Sequence, residues 1–171
     1  MTDRISTEMH LVRPEIGDPV LHLRRRLPHR PDVVWAALSD PEQMSLWQPC
    51  RIELEPRPGG TIRFLFEGEP AEESRLSRWE PPHRMAYDWS GEHLEWGVAE
   101  DLSGGHGGAE RPAASLLRLS NSIVDEQWVG HIAAGWDLCL HALEDLLAGR
   151  PIDASARPDE ETVARLRAQL G

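Results

Sequence analysis

The residues best suited to a chemical task in this sequence are aromatic, and their spacing favours binding of an apolar ligand. Five of them occupy alternating positions in neighbouring segments of strand length: Phe64, Phe66, Tyr87, Trp89 and Trp96. Such side chains can share one face of a sheet. Trp136 and Cys139 lie on the apolar side of a helical segment and can face them, while Trp47 and Trp128 can close the two ends. We therefore predict an apolar binding wall, although buried aromatic residues more often form ordinary core.

Residues with catalytic or metal-binding potential do not form a familiar motif. The sequence contains no His-Glu-x-x-His, Cys-x-x-Cys or Gly-x-Ser-x-Gly motif and no phosphate loop ending in Gly-Lys. His131 and His141 are too far apart for metal ligands on successive helical turns, and His106 has no partner nearby in sequence. His93 and Glu95 share a strand face that we expect to be solvated. We therefore predict no catalytic residue, no metal and no cofactor.

Composition excludes several other classes of partner. The formal net charge is −11, and all 18 basic residues are arginine. An acidic chain of this kind repels nucleic acid and anionic membrane surfaces. There is neither a run of 18 apolar residues nor a basic-then-apolar leader, so we expect a cytoplasmic protein that does not enter membranes. Cys50 and Cys139 are too few and too far apart for a redox pair or a metal site.

The clearest structural element is the segment from Asp125 to Gly149. Its apolar residues recur at intervals of three and four, which places them on one face of a long helix. Asp125 or Ser122 can cap its start, and Gly149 before Pro151 can end it. Gly135, in the middle, weakens a helix by about 1 kcal/mol relative to alanine. Two explanations fit this glycine: close packing of the helix on a sheet, or room left for a ligand.

The rest of the chain predicts a single domain rich in antiparallel strands. One strand spans residues 20–27, and two short helices follow, each with proline in its first turn. Short alternating segments separated by Pro and Gly predict about six further strands between residues 51 and 123. The arginines at positions 24–26 indicate a solvated edge strand. The glycine-rich composition of residues 103–112 predicts a loop tip or a lid.

Four segments of the chain resemble the START-like (SRPBCC) superfamily, in the branch named after the activator of the heat-shock-protein-ninety ATPase. They are residues 31–47 (PDVVWAALSDPEQMSLW), 57–60 (RPGG), 80–89 (EPPHRMAYDW) and 135–147 (GWDLCLHALEDLL). The resemblance implies an α+β helix-grip fold, with a curved antiparallel sheet of about six to seven strands around the C-terminal helix. It also implies an apolar cavity between sheet and helix. We expect a leader at residues 1–18, the domain at 19–149 and a tail with a short helix at 150–171.

Three functions are compatible with this resemblance. The first is binding of a hydrophobic or aromatic small molecule such as a lipid, polyketide or flavonoid, with the cavity wall formed by Trp47, Phe64, Phe66, Tyr87, Trp89, Trp96, Trp128, Gly135, Trp136 and Cys139. The second is an enzyme of the cyclase or dehydratase kind acting on such a ligand. The third is a protein partner role similar to that of the chaperone ATPase activators. The tail helix either docks on the domain or supports a homodimer.

Overall fold

The computed structural model describes residues 6–103 and 113–171 and has an α+β architecture in which one open antiparallel sheet packs against a long helix. The strands are β1 (Glu8–Val12), β2 (Val20–Leu27), β3 (Arg51–Leu54), β4 (Thr61–Leu65), β5 (Glu72–Glu80), β6 (Arg84–Trp89), β7 (Glu92–Glu100) and β8 (Ser115–Ser122). The helices are α1 (Pro31–Ser39), α2 (Pro41–Trp47), α3 (Val129–Leu147) and α4 (Glu160–Leu170). The strand order is β1-β2-β8-β7-β6-β5-β4-β3.

Local sequence explains where the helices start and end. Pro31 and Pro41 occupy the first turns of α1 and α2, where a missing backbone N–H costs nothing. The Asp40 side chain accepts a hydrogen bond from the Gln43 backbone N–H at 2.9 Å and so caps α2. Asp125 caps a 3-10 helical turn, Glu126–Trp128, that precedes α3. Gly149 ends this region with a φ of 69°, a left-handed conformation that suits glycine.

The sheet has one strand more than the upper end of our prediction. The additional strand, β1, pairs antiparallel with β2, and the His10 and His22 rings stack with centroids 5.1 Å apart. β1 is five residues long and contributes two inward apolar side chains, the buried Met9 and the half-buried Leu11, which is too short an alternation to identify a strand from sequence. β1 pairs with β2 from Val20 to Arg24, so the interpretation of β2 as an edge strand is wrong. Arg24 and Arg26 are exposed as expected, whereas Arg25 is buried.

Arg25 points into the core beneath α3, where it forms an ion pair with Glu144. The Arg25 side chain is completely buried and that of Glu144 is 14% exposed. A second nitrogen of the guanidinium, Nη1, donates to Thr7 Oγ1 at 2.7 Å, while Nε has no partner in the described part of the chain. This buried pair connects the strand to the long helix across the interior.

The tail helix α4 docks on α3 and β1. Val163, Leu166 and Leu170 are buried there. Gly130 of α3 permits the close approach, since a Cβ atom at that position would lie 2.8 Å from the Val163 carbonyl oxygen and 2.9 Å from Arg167 Cβ. Docking of this helix is therefore one of the two outcomes expected for the tail, and the possibility of a homodimer stays a prediction.

Two other predictions are not decided by the fold. The loop or lid predicted at residues 103–112, with His106, lies outside the described residues except for Ser103. The division of the chain at residues 18 and 149 also stays a prediction. Among the helices of the described residues, none combines the length and hydrophobicity needed to cross a membrane.

Candidate functional site

A cavity of about 810 Å³ lies between α3 and one end of the sheet. Its walls come from α2 and the residues after it up to the start of β3, Phe66 just after β4, the ends of β6, β7 and β8, and one side of α3. The chain between α3 and α4 forms the remaining wall, through Ile152, Asp153, Ala154, Ala156, Arg157 and Pro158. The size of the cavity is typical of sites that hold a drug-sized molecule.

Aromatic rings form a continuous contact network along one side of this cavity. Trp89 stacks on Phe64 with ring centroids 4.6 Å apart and planes 4° from parallel. Trp136 meets Trp89 and Trp96 edge-on, at 6.1 Å and 5.4 Å. Trp47 continues the network with an edge contact to Trp96 at 5.6 Å. Such packed rings provide a rigid apolar surface.

The structure separates the predicted wall residues into two layers. Those that line the cavity are Trp47, Phe66, Trp89, Gly135, Trp136 and Cys139. Phe64, Tyr87 and Trp96 are fully buried behind them and support the rings that face the space. Trp128 stands apart: it is 51% exposed, and its ring lies against His131, 5.2 Å away.

Gly135 borders open space. A Cβ atom built there would have no heavy atom within 4 Å, apart from the helix's own neighbouring backbone. Close packing, the first of the two explanations for this glycine, is therefore wrong. The missing side chain leaves room in the cavity wall, between Ile132 and Trp136 on the helix.

A polar network occupies the wall where β7 and β8 approach α3. Asn121 accepts a hydrogen bond from Trp136 Nε1 at 2.7 Å and donates from Nδ2 to Glu92 Oε2 at 2.8 Å. The other carboxylate oxygen, Oε1, accepts the Val124 backbone N–H at 3.3 Å. Within the described residues, Glu92 forms no ion pair, so the cavity wall carries a carboxylate held by neutral groups.

Gln48 and Cys50 contribute uncharged polar groups to another part of the wall. Gln48 ends α2, is only 6% exposed and lines the cavity beside Cys50. Burial raises the pKa of Cys50 to about 11 and that of Cys139 to about 12, so both thiols stay protonated near neutral pH. Burial likewise raises the pKa of Tyr87 to about 12, and the neighbouring Gln48 and Trp96 side chains partly oppose this rise.

The mouth of the cavity combines apolar and charged residues. Leu46 and Phe66 are 55% and 37% exposed, which is unusual for large apolar side chains. Arg51 and Arg157 also line the opening; Arg51 pairs with Glu53 at 2.9 Å, and Arg157 donates to the Ala156 carbonyl at 2.8 Å. The entrance therefore presents large apolar side chains to solvent.

Several residues of the cavity wall were not predicted from the sequence. Gln48, Glu92 and Asn121 carry no motif, and the wall formed by residues 152–158 lies in a stretch without periodicity. His93 lies on the exposed face, with Nδ1 2.7 Å from Asp88 Oδ1. In the ranges 6–103 and 113–171, no three His, Cys, Asp or Glu side chains are grouped so that they could hold a metal ion.

Comparison with known proteins agrees with this architecture. A family model described as Activator of Hsp90 ATPase homolog 1-like protein matches residues 28–148. A conserved protein of unknown function from Enterococcus faecalis, EF2215, has a TM-score of 0.66 at 15% identity, with 95% of this chain and 86% of that chain covered. CalU16 from Micromonospora echinospora has a TM-score of 0.65 at 22% identity, with 96% and 94% covered.

A third structure, of the protein encoded by BPP1335 from Bordetella parapertussis, has a TM-score of 0.59 at 22% identity, with 99% of this chain and 93% of that chain covered. No curated protein matches the sequence. At these identities the solved structures establish a shared fold, and they confirm the predicted helix-grip architecture. The family match covers α3 and most of the sheet but ends before the residues 152–158 that line the cavity.

Proposed function

Because this chain belongs to the family of Activator of Hsp90 ATPase homolog 1-like proteins, we propose that it binds a hydrophobic or aromatic small molecule in the cavity between its sheet and α3. The observation that carries the proposal is the cavity of about 810 Å³ with aromatic rings along one side. Trp47, Trp89 and Trp136 line it. An apolar ligand buried there would lose contact with water and gain contact with these rings.

Two further features support this function. Gly135 leaves free volume in a helix face where any larger side chain would reduce the space. Leu46 and Phe66 line the mouth of the cavity and are exposed. Because exposure of large apolar groups to water is unfavourable, a cavity without a ligand gives no reason for their position. Both features are explained if an apolar molecule enters and fills the space.

We expect ligands of this class to raise the melting temperature of the protein. A ligand present at a hundred times its Kd stabilises the folded state by about 2.7 kcal/mol, which corresponds to a rise of roughly 5–10 °C for a chain of this size. A panel of flavonoids, aromatic polyketides and fatty acids can be screened in this way. Because three tryptophans line the cavity, bound aromatic compounds should also quench tryptophan emission.

Trp128→Ala is a matched control for the same experiment, because this tryptophan lies outside the cavity wall. It should leave the quenching by a bound compound unchanged, whereas Trp89→Phe should reduce it. If no compound of a broad panel shifts the melting temperature or the emission, the proposed binding function is wrong.

A second candidate function, that of a cyclase or dehydratase, is favoured by Glu92. Its carboxylate lies in the cavity wall and is held by Asn121 without a cationic partner in the described part of the chain. A carboxylate placed beside a bound aromatic ketone can remove a proton from it. We expect turnover, if it occurs, to be lost in Glu92→Gln while ligand binding persists. Mass spectrometry of bound compounds that shows no loss of water or other conversion would reject this function.

A further inference from the structure

Among the polar residues of the cavity wall, Gln48 has the environment that most clearly indicates a ligand. It lies at the end of α2, and its own backbone N–H donates to the Met44 carbonyl at 3.0 Å, so its main chain is fixed. The side chain is 94% buried by contrast with the neighbouring Pro49, which is exposed. Trp47, one residue before it, and Cys50, two residues after it, also line the cavity.

Neither side-chain atom of Gln48 has a hydrogen-bond partner among the described residues. Both Nε2 and Oε1 are inaccessible to solvent, and neither has a partner at the distance and angle of a well-formed hydrogen bond. The Gln48 side chain does lie close enough to the Tyr87 hydroxyl to lower its pKa, so the two groups interact without the geometry of a full hydrogen bond. The Tyr87 oxygen instead accepts from Trp96 Nε1 at 3.0 Å. A buried donor or acceptor without a partner lowers stability by about 1–3 kcal/mol, so such groups are rare in folded proteins.

The surroundings of this amide determine what kind of group could pair with it. The thiols of Cys50 and Cys139 and the phenol of Tyr87 are all neutral near pH 7, because burial raises each pKa. A charged ligand group placed here would lose its hydration without gaining an opposite charge. A neutral hydroxyl or carbonyl would gain a hydrogen bond from a glutamine amide, which both donates and accepts.

We propose that Gln48 is the polar anchor of the cavity and that its amide hydrogen-bonds a neutral hydroxyl or carbonyl group on an aromatic ligand. The inference rests on the proposed binding function and names the class of ligand. Gln48 lines the cavity, but both amide atoms are inaccessible to solvent, so the pairing requires the side chain to turn toward the ligand. The aromatic rings contact the rest of the molecule.

Equilibrium dialysis of the full chain against a matched ligand pair tests this anchor. The pair is 2-naphthol and 2-methylnaphthalene, in which a methyl group replaces the hydroxyl. We expect 2-naphthol to bind about tenfold more tightly, since it pairs with an amide that otherwise has no partner. In a purely apolar cavity the methyl compound would bind as well or better, and that result would overturn the proposal. The charged 2-naphthoate should bind most weakly.

Gln48→Met tests the residue, because methionine has a similar size and lacks the amide. The preference for 2-naphthol should disappear, while 2-methylnaphthalene binds as before. The free variant should melt no lower than the parent protein, since the amide it loses makes no hydrogen bond. Gln43→Met, on the same helix but outside the cavity wall, should change neither property. A lower melting temperature with an unchanged ligand preference would overturn the anchor and indicate a structural role.

The ligand pair also distinguishes a wrong assignment of Gln48 from a failure of the proposed binding function. If both compounds bind the parent protein equally well, the cavity binds aromatic molecules and the assignment of Gln48 is wrong. If neither compound binds, the proposed function fails for this class of ligand, and the anchor fails with it.

Discussion

Glu144→Ala should destabilise the protein by about 3–5 kcal/mol. The substitution removes one partner of the buried ion pair and leaves the Arg25 guanidinium inside the core, where Thr7 Oγ1 is its one remaining acceptor among the described residues. A buried charge without a counter-ion keeps its desolvation penalty and loses the attraction that offset it. Urea denaturation followed by circular dichroism measures the change as a shift in the midpoint at constant slope.

Arg150 supplies the matched control for this prediction. It also contacts Glu144, at 3.6 Å, but its side chain is 50% exposed and it has a second partner in Asp145. Exposed pairs of this kind contribute about 1 kcal/mol or less, so Arg150→Ala should have a small effect.

The double variant Arg25→Met with Glu144→Leu should recover most of the loss, because an apolar pair of similar volume avoids the desolvation of both charges. If Glu144→Ala destabilises no more than Arg150→Ala, the buried pair contributes nothing specific to stability.

This ion pair also illustrates what the sequence could not predict. Arg25 and Glu144 are 119 residues apart, and each belongs to a segment where charged residues usually face water. Alternation correctly splits Arg24, Arg25 and Arg26 between the two faces of β2. It does not say which face is covered, because that depends on β1 and on α3, which pack there only in the folded chain.

The elements from residue 20 onwards were predictable because each has a strong local signal. Proline begins α1 and α2, glycine or proline separates the strands, and apolar residues repeat every three or four positions along α3. The short strand β1 has only a weak signal, the alternation of Met9 and Leu11. Trp128, predicted to close one end of the cavity, belongs to a 3-10 turn before α3, is 51% exposed and lies against His131.

For the candidate site, the sequence predicted which aromatic residues share one face of the sheet but not which of them line the cavity. Alternation placed Phe64, Phe66 and Trp89 together, and their rings do form one cluster. Which ring lines the space and which supports it depends on the depth of each strand in the sheet. Gln48 and Asn121 are single polar residues without a motif, and their burial results from tertiary packing alone.

Gly135→Phe should abolish most of the binding of apolar ligands and leave the protein folded. A Cβ at this position meets nothing within 4 Å, so the larger side chain can extend into the cavity instead of displacing α3. The phenyl ring then occupies space that the ligand needs. We expect the affinity for the ligand to fall roughly 10- to 100-fold, which is the size of the free-energy penalty that overpacking causes in a protein core. Fluorescence titration with the best compound of the ligand panel measures the change.

Alanine substitutions at the two glycines of α3, the cavity-facing Gly135 and the buried Gly130, provide the decisive comparison of stability. Gly135→Ala should raise stability by up to about 1 kcal/mol, because alanine favours the helix and its methyl group meets open space. Gly130→Ala should lower stability by about 1–3 kcal/mol, because its methyl group would press on the backbone of α4 at 2.8 Å. If Gly135→Ala were as damaging as Gly130→Ala, the helix would pack directly against other atoms at Gly135. The glycine would then serve packing, and the space that the proposed ligand requires would not exist in solution.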